Sequence, residues 1–245
     1  MGKKKTTELF VAATDGDLER VKAIVDVSPE EIHARGDKNR TPLHGAARGD
    51  HADVAYFLIS AGARMEDRTA FKMTALHVAV FYGSAKVAKM LLEHEQGVAI
   101  DALDFGSWTA LHYACNYNWG ECARLLIEHG ADMNKKSAEL QLVALHLAAR
   151  SGNLATVELL LEKGCDVDQR NLFYTTPLHL ACQNDRVDVV RYLLKAGATP
   201  DAPDEAGITP SQLTKRDDIA DDLEEAVEAA EQKRDAQLPS PPPAA

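Results

Sequence analysis

Apolar residues run through this chain in paired bursts. The first burst of a pair sets a leucine among small residues, as in PLHGAA (42–47) and ALHVAV (75–80). Four positions past Ala46, Ala79, Ala114, Ala148 and Ala181 stands a turn former: Asp50, Gly83, Asn118, Gly152 or Asp185. The second burst follows, such as VAYFLI (54–59) or VELLLE (157–162), with the periodicity of a helix that buries one face. A glycine ends most pairs: Gly62, Gly130, Gly164 and Gly197. The pattern predicts two short helices and a loop, repeated along the chain.

The pairs are in register. TPLH (41–44), TALH (74–77), TALH (109–112), VALH (143–146), TPLH (176–179) and TPSQ (209–212) align at spacings of 33, 35, 34, 33 and 33 residues. The threonine is placed to cap the first helix, because its hydroxyl accepts from an unpaired N–H of the first turn. Proline, where present, takes the first helical position, where a missing N–H costs nothing. The leucine and the small alanine face a neighbouring helix, and the closing glycine suits the left-handed end of the second helix.

Five such units over residues 41–200 resemble ankyrin repeats, units of about 33 residues marked by T-P-L-H-x-A. The resemblance implies an all-α fold, an ankyrin-repeat solenoid of stacked helix–turn–helix units, each preceded by a hairpin-like finger. One unit cannot bury its apolar face alone, so stability comes from the interfaces between neighbours. ELFVAATDGDLERVKAIVDV (8–27) matches the helix positions through Ala12, Ala13, Gly16 and Val21 and is the expected N-terminal cap. TPSQLTKRDDIADDL loses the histidine, is strongly charged, and is the expected C-terminal cap. Seven units result, with the solenoid at 7–216, a basic tail at 1–6, an acidic helix at 217–237 and a proline-rich tail at 238–245. In the acidic helix, Ile219, Leu223, Val227 and Ala230 share one face.

The departures from the pattern have separate meanings. Alanine replaces proline at 75, 110 and 144 and is a good helix former. Val143 replaces the capping threonine, a loss of about 1 kcal/mol. Residues 93–108 carry two extra residues, and one more lies between Gly130 and Val143. The middle fingers are therefore irregular, and loops are where such arrays vary for function.

Composition narrows the function. The net charge of −11 argues against general nucleic-acid binding. That charge is uneven: residues 201–245 hold twelve acids and four bases, a net of −8, which leaves −3 for the rest. No apolar run approaches the roughly 18 residues of a membrane span, and the basic start MGKKK is not followed by the long apolar stretch of a secretory leader. Cys115, Cys122, Cys165 and Cys182 show no C-x-x-C spacing, so a reducing compartment and small buried thiols are expected. The expected place is the cytoplasm, with the nucleus or a membrane surface as alternatives.

Nine histidines invite a metal reading. Five of them, His44, His77, His112, His146 and His179, hold one repeat position, and the repeat explains their spacing without a metal. By resemblance this histidine bonds to the threonine and backbone of its own unit. His33, His51, His94 and His129 have no ligand spacing and are expected at the surface. No phosphate-binding loop, nucleophile elbow or H-E-x-x-H occurs. The reading is a protein with no catalytic residues, metal or cofactor.

The 14 aromatic residues are better placed for binding. Phe71, Phe105, Trp108, Phe173 and Tyr174 fall in the fingers, with Met73 and Leu142. Phe81, Tyr82 and Tyr117 fall near the ends of first helices. By resemblance, fingers and first helices line a concave face that grips other proteins. Arg40, Arg48 and Arg150 supply polar anchors along it, and aromatic residues with arginine are the usual hot-spot types. The expected function is a protein-interaction module or adaptor, a monomer until its partner binds. Two alternatives accompany this reading. Chain length and seven units are similar to gankyrin-type proteasome assembly chaperones, from which the acidic helix and proline tail depart. MGKKKT also fits an N-myristoylation pattern at Gly2, with three lysines as the second anchoring signal.

Overall fold

The structure, a computed structural model, describes residues 7–237. Gly2 and the proline-rich tail lie outside the described residues. The chain divides into two units, Met1–Leu147 and Ala148–Ala245. Among the described residues it is all-helical, with no strand.

In the first unit the helices come in pairs: α1 (Glu8–Asp15) and α2 (Leu18–Val27), α3 (Pro42–Gly49) and α4 (Ala52–Ser60), α5 (Ala75–Phe81) and α6 (Ala85–Glu93), α7 (Ala110–Asn116) and α8 (Gly120–Glu128). First helices α1, α3, α5 and α7 pack in one row, and second helices α2, α4, α6 and α8 in another. The division falls inside α9 (Ala144–Ser151). The second unit continues with α10 (Leu154–Glu162), α11 (Pro177–Gln183), α12 (Val187–Lys195) and α13 (Asp217–Gln237).

The core is the repeat written in side chains. Leu43, Leu76, Leu111, Leu145 and Leu178 are buried, as are Ala46, Ala79, Ala114, Ala148 and Ala181. In the second helices an apolar pair and a residue one turn later are buried: Val54, Ala55 and Leu58; Val87, Ala88 and Leu91; Val189, Val190 and Leu193. Each such leucine contributes roughly 1.5–3 kcal/mol of burial, available only when the next repeat is present to cover it.

The caps behave as the sequence suggests and add a bond it did not show. Thr74, Thr109 and Thr176 accept from the backbone N–H of His77, His112 and His179. The histidine Nδ1 in turn accepts from the threonine backbone N–H at 3.1–3.3 Å. Nε2 is then the protonated nitrogen, and it donates to a carbonyl of the next repeat. His44 reaches Met73 O at 3.2 Å, His77 reaches Trp108 O at 3.0 Å, and His112 reaches Leu142 O at 3.1 Å. His179 reaches Ile208 O at 3.2 Å. His44, His77, His112 and His179 therefore tie their repeats to the following ones as well as to themselves. Val143 offers no hydroxyl, but its side chain is buried, and its N–H still meets His146 Nδ1 at 3.4 Å.

Two histidines expected at the surface are engaged. His51 is half-buried, lies against Gly16 and Gly49, and bonds Thr14 O at 3.0 Å. His129 bonds Leu125 O one turn back.

The last unit departs from the helix-pair plan. Its first helix shrinks to a single 3-10 turn, Pro210–Gln212. Its second helix is α13, which packs on α12 and on that turn through the fully buried Ile219 and Leu223. Val227 and Ala230 are only half-buried, so the face that docks fades after two turns. No helix among the described residues is long and apolar enough to cross a membrane.

Candidate functional site

The fingers share one local design. Backbone N–H groups of Thr69, Asp104, Ser137 and Asn171 close the finger by donating to Met73, Trp108, Leu142 and Thr175. A side-chain oxygen at the same position holds the tip: Asp104 Oδ1 accepts from Gly106 N at 2.8 Å and Trp108 N at 2.9 Å, and Asn171 Oδ1 does the same for Phe173 and Thr175. The tip then turns through a left-handed residue, at Lys72, Ser107, Gln141 and Tyr174. That conformation is uncommon for side chains other than glycine or asparagine, and Tyr174, at φ 59°, is the bulkiest residue to adopt it here. Neighbouring tips are joined by Ala70 N to Lys38 O, Phe105 N to Phe71 O and Ala138 N to Gly106 O.

This frame aims aromatic side chains from fingers and first helices at one place. In the first unit they surround a recess of about 560 Å³. Phe71, Met73, Phe81, Tyr82, Phe105, Trp108 and Tyr117 line it, with Arg40 and Arg48. Nine of the residues expected to bind are thus brought together. Phe81 is the hub: its ring meets Tyr82, Tyr113 and Tyr117 edge-on, with centroids 5.1–5.4 Å apart. Tyr113 and Tyr117 stack one turn apart on α7, and Trp108 leans on Tyr113 at 5.0 Å. Offset and edge-on pairs of this kind add about 0.5–1.5 kcal/mol each beyond burial. Phe105 remains 77% exposed, and Phe71 and Tyr82 are about half exposed.

Four expected residues are not in this recess. Leu142 is only 4% exposed and is no surface residue, which corrects its assignment to a binding face. Its N–H is held by Ser137 Oγ and its carbonyl by His112. At the same repeat position Arg40 and Trp108 reach outward, whereas a leucine is short enough to be enclosed. Arg150, Phe173 and Tyr174 lie in the second unit. Arg150 is half-buried, and desolvation pulls its pKa below the usual arginine value. Phe173 and Tyr174 are half exposed, with Arg170 over the Tyr174 ring at 5.6 Å.

The sequence reading missed Tyr113, Asp104 and Lys38, which also line the recess. Tyr113 OH donates to Asp104 Oδ2 at 2.5 Å. Burial, then that bond, push the phenol's pKa above its ordinary range. The signal for Tyr113 was its place one turn before Tyr117 on the same helix face. Trp119, by contrast, heads α8 and covers Gly83, where a Cβ would meet the indole at 2.9 Å. It does not line the recess.

His44, His77, His112 and His179 have no spare nitrogen for chemistry. Burial, only partly offset by the bond to Met73, lowers the His44 pKa to about 4, and burial likewise lowers His77, His112 and His179. No group of three or more His, Cys, Asp or Glu among the described residues is placed to hold a metal ion.

Comparison with known proteins agrees with this architecture. The family model described as ankyrin repeats (3 copies) matches residues 9–104, 63–137, 96–171 and 141–204. The chain is 31% identical over 167 residues to the nuclear factor NF-kappa-B p105 subunit of Gallus gallus, a match covering 65% of this chain and 17% of that protein. Among solved structures it is similar to the ankyrin repeat domain of Bcl-3, a member of the IkappaB protein family. There the TM-score is 0.77 at 26% identity, over 91% of this chain and all of that one (100%). The human ASB11 ankyrin repeat domain superposes with a TM-score of 0.82 at 24% identity, over 98% of this chain and 100% of that one, a likeness of fold alone. The chain thus spans less than a fifth of the length of its p105 relative.

Proposed function

Since this chain belongs to the ankyrin-repeat family, whose repeats are protein-interaction modules, we propose that it grips a partner protein in the aromatic recess of the first unit. One observation carries the reading. Large apolar side chains from two successive repeats converge on a recess while remaining partly exposed, although the leucine and alanine core beneath them is complete. Aromatic rings exposed together in a concavity are what a binding hot spot requires. His44, His77, His112 and His179, neutral and bonded at both nitrogens, support binding rather than catalysis. None of the four cysteines is in a disulfide, which supports a reducing compartment such as the cytoplasm, with a monomer awaiting its partner.

The test is affinity capture from the native source with the wild-type chain and with Phe105→Ala combined with Tyr117→Ala. Phe105 is largely exposed and Tyr117 nearly half exposed, so the fold should survive, as circular dichroism and melting would report. The partner's recovery should fall at least about tenfold, the loss expected when two hot-spot side chains are truncated. An unchanged set of captured proteins would remove the recess from the function.

A further inference from the structure

The recess has a sign as well as a shape. Lys38 and Arg40 lie in the finger before α3, and Arg48 in its last turn, so three cations run along one wall. Arg40 pairs with Asp37 at 3.6 Å. Lys38 and Arg48 form no ion pair among the described residues and rest on aromatic rings instead. Lys38 Nζ sits 5.6 Å from the Phe71 centroid, and the Arg48 guanidinium 5.3 Å from that of Tyr82. A cation on a ring face is held in place but keeps its hydrogen-bond donors for another group. Two acids also line the recess. The Asp104 carboxylate is occupied by Gly106, Trp108 and Tyr113, which leaves the exposed Glu139 as the one acid not so engaged. Residues 1–200 carry a net of only −3, and the recess itself sets three bases against two acids.

We propose that the recess takes an acidic peptide segment of the partner, with an apolar anchor on the rings of Phe81, Trp108, Tyr113 and Tyr117 and carboxylates facing Lys38 and Arg48. The inference rests on the binding reading above and adds the chemistry of the occupant. Lys38 precedes α3 and Arg48 sits in its last turn, so the length of that helix, about 12 Å at 1.5 Å per residue, sets the scale of their separation. That is the reach of roughly four residues of extended chain. The segment therefore carries acids on both sides of a short apolar centre. The sign follows from complementarity: an acid set against these cations gains attraction, whereas a basic segment meets like charge.

Three fluorescein-labelled peptides test this, each with the centre Leu-Gly-Phe-Leu and flanked on both sides by two glutamates, two glutamines or two lysines. Fluorescence anisotropy should show the glutamate peptide binding about tenfold tighter than the glutamine peptide at low salt, with the gap closing as salt is added. Lys38→Gln with Arg48→Gln should bring the two within about threefold, chiefly by weakening the glutamate peptide. Phe105→Ala with Tyr117→Ala should weaken both.

Equal affinity for the glutamate and glutamine peptides would overturn the acidic assignment and leave the recess as an apolar grip. Tighter binding of the lysine peptide would reverse the sign and overturn it. Peptide binding untouched by the ring substitutions, or no binding at all, would overturn it too. The capture experiment would then stand alone as the test of the broader reading. Self-association of the chain that Lys38→Gln with Arg48→Gln abolishes would make a second copy's acidic helix the occupant, and would overturn a foreign partner.

Discussion

The recess of the first unit and the finger at 172–174 of the second are built on one frame and end differently. Both present half-exposed aromatic residues on a finger held by a side-chain acceptor, Asp104 in one and Asn171 in the other. The difference lies four, seven and eight residues after the capping threonine. Those positions are Val78 and Phe81 on α5 with Tyr82 at its C-cap, and Tyr113 and Asn116 on α7 with Tyr117 at its C-cap. On α11 they are Leu180, Gln183 and Asn184. In the first unit, rings on the helices meet rings on the fingers and a recess forms. In the second, Phe173 has no ring partner among the described residues, although Glu205 N still joins its finger to the next. A finger aromatic becomes a site only when the helix behind it also supplies rings.

If the frame is common to both regions, its weak points should be common too, and acid is the strongest test. The buried histidines stay neutral in the folded chain, while unfolded histidine takes up a proton near pH 6.5. The unfolded state binds more protons between pH 6.5 and the lowered folded values, so stability is full above 6.5 and is lost as pH falls toward 4. His44 alone, lowered to about 4, should account for about 3 kcal/mol by pH 4. His77 and His112 add to this in the first unit and His179 in the second. Urea unfolding at a series of pH values checks it, and a flat profile from 7 to 4 would contradict the assigned tautomer.

Next in size, Leu111→Ala and Leu178→Ala remove the same fully buried side chain from the two regions. Each should cost about 2–5 kcal/mol in urea unfolding. A large disparity would mean that the frames are not equivalent. Smallest is Tyr113→Phe, which strips only the phenol oxygen. Loss of a bond to a carboxylate costs about 1–2 kcal/mol, and Trp108, whose N–H shares Asp104, should show altered fluorescence. An unchanged spectrum and stability would make Tyr113 a passive part of the floor.

The frame was legible because the chain states it repeatedly. Leu43, Leu76, Leu111, Leu145 and Leu178 report the same packing at the same interval, so local accidents in one unit are outvoted by the others. The caps were legible at the N-terminus, where α1 and α2 match the expected pair. They were less so at the C-terminus, where a tetrapeptide without its histidine yields one 3-10 turn in place of a helix. The site was harder to read because its residues occupy positions where the repeat is silent. Phe81 and Tyr117 announced themselves by type. Tyr113 did not, because a mid-helix tyrosine beside buried alanine reads equally as core. Leu142 was misplaced for the opposite reason: an apolar finger residue reads as exposed until the longer finger around it is seen to enclose it.

The bonds between finger tips have a mechanical consequence. Three successive finger tips of the first unit are each joined to the next by one backbone bond, Ala70 to Lys38, Phe105 to Phe71 and Ala138 to Gly106, beside the bonds from His44, His77 and His112. Bonds arranged in series share an extending load equally and yield one after another, unlike the parallel bonds of a sheet, which must break together. Pulled along its stack, this unit is therefore expected to yield one repeat at a time, which force spectroscopy would record as evenly spaced steps.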